Sequence, residues 1–240
     1  MRPIYLFVRH CSSPNLKNRP NWFAHKEQAM ANLMQTKDAD THVTLLLDTL
    51  SIPDPTQHFS YKYKDQLDQV ISMPGGSDAC SLYNLVGYIT SLKLPDDAIV
   101  YLLEDDYLHR PGWTNILREA FDAKLGDYVT LYDHSDKYSL PMYKGLKSEL
   151  FVTESCHWRN TPSTTNTYAV LFKLLVEKAV DQVRFSDKES GISYDHSKWV
   201  WLQEQGYRLI SPIPGYSTHL EQEWLAPAFD WRKLIKANLL

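Results

Sequence analysis

Short, nearly continuous apolar runs alternate with stretches of helical spacing through the first half of this chain. Residues 4–8 (IYLFV), 42–47 (HVTLLL), 69–73 (QVISM) and 98–103 (AIVYLL) read as strands, and 128–132 as a fifth. Between them, residues 22–34 carry apolar side chains at near-helical spacing. Ser77 reads as the N-cap of a helix with Leu82, Leu85, Val86 and Ile89 on one stripe. Residues 112–124 place Ile116, Leu117, Ala120 and Phe121 on one face, with Gly126 as the stop. Strands that are apolar without alternation are buried on both faces, which requires helices on both sides of a mostly parallel sheet. The expected class is therefore α/β. Such sheets bind ligands beyond the carboxyl ends of their strands. Arg9, Asp48, Gly75-Gly76-Ser77 and Glu104-Asp105-Asp106 all stand at such ends.

Beyond residue 135 the pattern changes. Extended, Thr-rich segments around 161–172 lead into helices at 173–183 and about 197–205, then a short strand at 207–211. No linker or internal repeat divides the chain, so one domain over residues 1–240 is expected. With 43% hydrophobic and 12% aromatic residues a full core is available, and a net charge of -4 argues against a nucleic-acid partner. No apolar stretch is long enough to span a membrane, and the run that ends at Arg9 and His10 is too short for a signal peptide. A cytoplasmic protein, or one peripheral to a membrane, is the expectation. Cys11, Cys80 and Cys156 form neither a zinc pattern nor a disulfide framework.

Glu104, Asp105 and Asp106 repel one another, and burial makes their charge expensive. A divalent cation would balance them, and hard carboxylate oxygens suit Mg²⁺ or Mn²⁺. Adjacent strand residues point to opposite faces, so all three cannot bind one ion, but one or two beyond the strand end can. A solvated acidic turn ahead of the next helix is the plain alternative. Asp195 is either a general base or the N-cap of the helix before Trp199 and Leu202.

The stretch LLEDDYLHRPGW resembles the metal-binding motif of GT-A-fold glycosyltransferases, with Pro111, Gly112 and Trp113 opening the following helix. The EDD form resembles that of the N-acetylglucosaminyltransferases, in which the last Asp binds the cation; here that is Asp106. Against the family-2 pattern Asp-x-Asp-Asp, position 103 is Leu, which leaves open whether Asp105 or Asp106 is the main ligand. GISYDHSKWVWLQEQGYRLI resembles the family-2 segment that carries the general base of inverting members. Asp195 falls on that base, and Tyr194 replaces the Glu before it. His196 is a rival base or a neighbour that tunes Asp195. In PGYSTHLEQEWLAP, His219 matches a late histidine that supplies a further cation ligand. In the resembled family the region that holds Trp158 and Arg159 lies near the donor sugar and acceptor, where an aromatic face and a guanidinium would serve. Arg9, Asp48, Gly76, Ser77, Glu104 and Asp105 would face the nucleotide.

The resemblance implies a GT-A-like, Rossmann-related fold, with residues 1–135 as the nucleotide-binding half and 136–240 as the acceptor side. It implies a metal-dependent, inverting glycosyltransferase with a nucleotide-sugar donor and a glycan, lipid or protein acceptor. Two other readings stand beside it. A sugar nucleotidyltransferase shares the layout, but the loop HCSSPNLKNRP has Lys17 and Arg19 and no glycine. A binding module without catalysis would explain Leu103 and Tyr194.

Overall fold

The computed structural model describes residues 2–10, 26–48, 50, 52 and 54–238. Cys11, Lys17, Arg19 and residues 22–25 of the expected first helix lie outside the described residues. The elements run β1 (Ile4–His10), α1 (Lys26–Thr36), β2 (Thr41–Asp48), β3 (Gln69–Met73), α2 (Asp78–Ser91), β4 (Ile99–Glu104), β5 (Tyr107–His109), α3 (Trp113–Asp122) and β6 (Tyr128–Val129). There follow α4 (Asp136–Ser139), β7 (Leu150–Val152), β8 (His157–Asn160), β9 (Tyr168–Leu171), α5 (Phe172–Glu177) and α6 (Ala179–Val183). The last are β10 (Ser186–Asp187), β11 (Ile192–Ser193), α7 (Asp195–Glu204), β12 (Leu209–Ile213), β13 (Ser217–His219) and α8 (Trp231–Asn238).

A nine-stranded sheet of order β3-β2-β1-β4-β9-β6-β12-β8-β7 forms the centre. β8 and β9 run against the other strands, so the sheet is mixed but mostly parallel. Period-2 alternation sorts its side chains onto two cores. Ile4, Leu6, Val8, Tyr101 and Leu103 pack under α1, α3 and α8. Phe7, Val100, Leu102 and Leu46 pack under α2, α5 and α7. Burial on both faces of β1, β2 and β4 is what their apolar runs anticipated, whereas β3, at the edge of the sheet, is mostly exposed.

Three elements differ from the sequence reading. The fifth strand stops at Val129, because Thr130 Oγ1 accepts from Tyr132 N and turns the chain towards an isolated bridge with Ser217. The helix expected at 173–183 is two, broken at Lys178, which leaves the helical region at φ -115° and ψ 21°. In the extended stretch before Phe172, the strand covers Tyr168–Leu171, and a polar loop with buried Thr164, Asn166 and Thr167 precedes it.

Candidate active site

A cavity of about 540 Å³ opens at the carboxyl ends of β1, β2 and β4. Its lining includes Arg9, Asp48, Gly76, Ser77, Glu104, Asp105, Asp106, Asp195 and His219, which the sequence scatters over most of the chain. A larger cavity of about 710 Å³ lies at the other end of the sheet, among Arg2, Asp96, Asp127 and Arg208, and holds none of these residues. Chemistry rather than size marks the first as the site. Asp48, Asp78, Glu104, Asp105, Asp106, Asp195 and Glu221 line it against Arg9, Lys26 and two histidines. So many carboxylates disfavour an anionic ligand, and a cation would offset that charge.

The acidic triplet fans out. Glu104 ends β4 on the α2 side, where Arg9 Nη2 donates to Oε1 at 3.0 Å and Thr167 Oγ1 to Oε2 at 3.0 Å. Burial pushes Glu104 up to about 7, with Arg9 opposing and the charges of Asp78, Asp106 and Asp195 adding. The same guanidinium donates through Nη1 to Asp78 Oδ1 at 2.8 Å and Ser81 Oγ at 2.7 Å, so it ties β1 to the start of α2. Asp105 points to the other face, paired with His10 and with Lys26 Nζ at 2.9 Å. Behind it, His10 Nε2 meets His58 Nε2 at 3.0 Å.

Asp106 lies past the strand end. The β5–β13 ladder pairs Tyr107 with His219, and Leu220 N donates to Asp106 O at 2.9 Å. This register sets His219 Nε2 at 3.2 Å from Asp106 Oδ2, with Glu221 Oε2 3.8 Å from Nδ1. Burial lowers the His219 pKa, but Asp106 outweighs it and the imidazole is held above its ordinary value. Among the described residues no three metal-binding side chains are assembled in one cluster. One carboxylate and one imidazole, in a cavity with excess negative charge, nevertheless fit Mn²⁺ or Mg²⁺, which complete their shells with water and substrate phosphate.

Asp195 is the first residue of α7. Tyr194 holds the cap position and makes no side-chain cap bond, so Asp195 is not the N-cap. Burial, with Asp78 adding, lifts the Asp195 carboxyl to about 6, while Lys198 and Arg9 oppose. Lys198 is buried on the same helix and donates through Nζ to Asn166 Oδ1 at 2.6 Å. Burial lowers its ammonium to about 8, against the pull of Asp195. His196 turns away from the cavity lining towards Tyr143, with Nδ1 at 3.2 Å from the phenol oxygen.

Asp48 spends its carboxylate on its own neighbourhood. Oδ1 accepts from Gly75 N at 3.0 Å and Leu50 N at 3.1 Å, and Oδ2 from Gly76 N at 3.0 Å. It shapes the loop that delivers Ser77, whose Oγ accepts from Cys80 N at 3.1 Å and caps α2. Gly76 sits at φ +73°, a region that favours glycine.

Trp158 and Arg159 fall outside the cavity. Alternation on β8 turns Trp158 into the core, fully buried, so its face is not open to a sugar ring. Arg159 Nη2 donates to the buried Asp133 Oδ1 at 2.6 Å. Sequence reasoning missed Lys26, Asp78, Ser81, Thr165 and Lys198, which share no local motif. Lys198 alone carries a signal, the i,i+3 spacing from Asp195.

No protein-family model matches this chain, and no curated protein matches it. Solved structures do. The crystal structure of S. aureus TarS 1-349 aligns with a TM-score of 0.51 at 11% identity, covering 87% of this chain and 57% of that one. TarS 1-349 in complex with UDP gives 0.47 at 11% identity over 87% and 57%, and the longer TarS structure 0.46 at 10% over 87% and 35%. This chain thus spans less than two thirds of the length of those structures. The likeness to TarS 1-349 and the strand order above together give this chain a GT-A-like α/β fold, with a mostly parallel sheet flanked by helices.

Proposed function

We propose that this protein is a metal-dependent glycosyltransferase that moves a sugar from a nucleoside-diphosphate sugar to an acceptor hydroxyl with inversion. The observation that carries the reading is the meeting of the Asp106–His219 pair and Asp195 in one cavity at the carboxyl ends of the strands. Asp106 and His219 would hold Mn²⁺ or Mg²⁺, with Asp105 committed to Lys26 and His10. When bound, the cation supplies positive charge against the departing diphosphate. Asp195 takes the proton of the acceptor hydroxyl as its oxygen attacks the anomeric carbon. One displacement forms the new glycosidic bond, breaks the bond to the diphosphate and inverts the centre. An elevated carboxyl pKa makes Asp195 a stronger base than an exposed aspartate while leaving it ionised at neutral pH. Arg9 and Glu104 hold the cavity wall between β1, β4 and α2.

The test is calorimetric titration of UDP-, GDP- and dTDP-sugars with and without Mn²⁺. Binding of one donor only with metal supports the reading. No binding of any donor with metal present reduces it to a statement about fold, and pyrophosphate release on turnover would instead mark nucleotidyl transfer.

A further inference from the structure

Six of the fourteen exposed large hydrophobic side chains among the described residues fall within residues 138–152. They are Tyr138, Leu140, Met142, Leu146, Leu150 and Val152, and Met142 is 62% exposed. The Tyr138 ring faces the Arg159 guanidinium at 5.2 Å, and Arg159 pairs in register with Leu150 on the outermost strand of the sheet, which brings Tyr138 near that strand. Single exposed apolar residues need no explanation, but a cluster does. Between Asp136 and Glu149 the segment carries only basic charge: Lys137 is buried against Asp136, and Lys144 and Lys147 are exposed beside Met142 and Leu146. The segment does not hang free. Tyr143 tucks inward, its hydroxyl 3.0 Å from Ser163 Oγ and 3.2 Å from Nδ1 of His196, the residue after Asp195. The apolar and cationic face is therefore anchored next to the helix that carries the proposed base.

We propose that residues 138–147 dock this protein on an anionic lipid surface, with Leu140, Met142 and Leu146 entering the interface and Lys144 and Lys147 facing the headgroups. Apolar insertion and headgroup attraction are the two signals that peripheral attachment requires. A soluble polyanion would use the lysines but not the leucines and methionine. Among the described residues no helix is long and apolar enough to cross a membrane. Docking stands without the glycosyltransferase reading; that this face serves the acceptor side, and thus a lipid-borne acceptor, rests on it.

The experiment is co-sedimentation with vesicles of phosphatidylcholine alone and of phosphatidylcholine mixed with phosphatidylglycerol, at low and high salt. The wild type should pellet with the anionic vesicles and be released by salt. Joint Leu140→Ser and Met142→Ser should reduce partitioning by about tenfold, and Lys144→Gln and Lys147→Gln by about fivefold each. All four side chains are exposed, so melting temperatures should match the wild type. Wild type left in the supernatant, or variants that pellet equally well, would overturn the proposal. So would a wild-type dimer in sedimentation velocity that the Ser variants dissolve, since the face would then bind a second copy. Donor calorimetry is read separately: lost donor binding with retained vesicle binding removes the catalytic reading alone.

Discussion

Asp195 combines a half-buried position with a negative charge, and the two effects predict different signs in two measurements. As a base it must be ionised, so kcat should fall as pH drops through about 6. In stability the sign is opposite to that of a paired surface carboxylate. The folded pKa lies near 6 and the ordinary value is 3.8. The folded state therefore holds more protons between these values, and stability declines as pH rises across that window. Asp195→Asn should abolish transfer, leave donor binding near wild type, and raise the unfolding free energy read from urea denaturation at pH 7 by an amount on the order of 2 kcal/mol that vanishes near pH 4. Wild-type turnover in that variant would remove Asp195 from the role. Asp106 is expected to act elsewhere in the cycle. Asp106→Ala should weaken Mn²⁺-dependent donor binding by tenfold or more, on the order of one lost carboxylate ligand. Unchanged metal affinity in the titration would return the triplet to a solvated turn.

At the scale of elements, the start of α2 is where three segments meet. Ser77 caps the helix, Arg9 of β1 clamps Asp78, and the β10–β11 hairpin packs against α2. Gly191 makes the last contact: its O accepts from Ala79 N at 3.2 Å, its φ is +76°, and a Cβ there would lie 2.9 Å from Ser77 Cβ. Gly145 has a similar φ of +79° with open space around it. Both alanine variants carry backbone strain of about 1 kcal/mol, but Gly191→Ala must also displace Ser77. Urea unfolding should show it the less stable of the two by about 1 kcal/mol, roughly the worth of the cap; equal losses would mean that the hairpin yields freely. Local elements of this kind were readable in advance. Apolar runs located β1, β2 and β4, and the polar residues that end them marked the site, because a parallel sheet binds its ligands there. The pairing of Asp105 with His10 and Lys26 was not readable. Asp106 and His219 met as expected only through the resemblance, and their contact depends on the β5–β13 ladder, a pairing between distant segments. Trp158 beside Arg159 suggested a sugar platform, since alternation tells which residues share a face but not which face is covered.

Across the whole molecule, the division at residue 135 into two halves does not follow the sheet. β9 inserts between β4 and β6, and β12 pairs β6 on its other side. Both neighbours of β6 thus come from beyond residue 135, and so does the outer partner of β4. Each core is shared in the same way: Trp113 packs in one cluster with Trp158 and Trp231, and Val100 in the other with Trp199 and Leu202. A fragment ending at residue 135 would keep β3-β2-β1-β4 but expose the apolar edge and faces that β9, α5 and α7 cover, leaving β6 without a partner. Such an edge aggregates rather than folds. We expect the full chain to unfold in urea as one transition, with far-UV circular dichroism and tryptophan fluorescence superimposing, and the 1–135 fragment to show no cooperative transition at all. Because Arg9 and Glu104 come from the first half and Asp195 and His219 from the second, the cavity exists only when both halves share the sheet. A fragment that melted cooperatively and bound donor with Mn²⁺ would show that the first half folds alone and that the acceptor side is an addition to it.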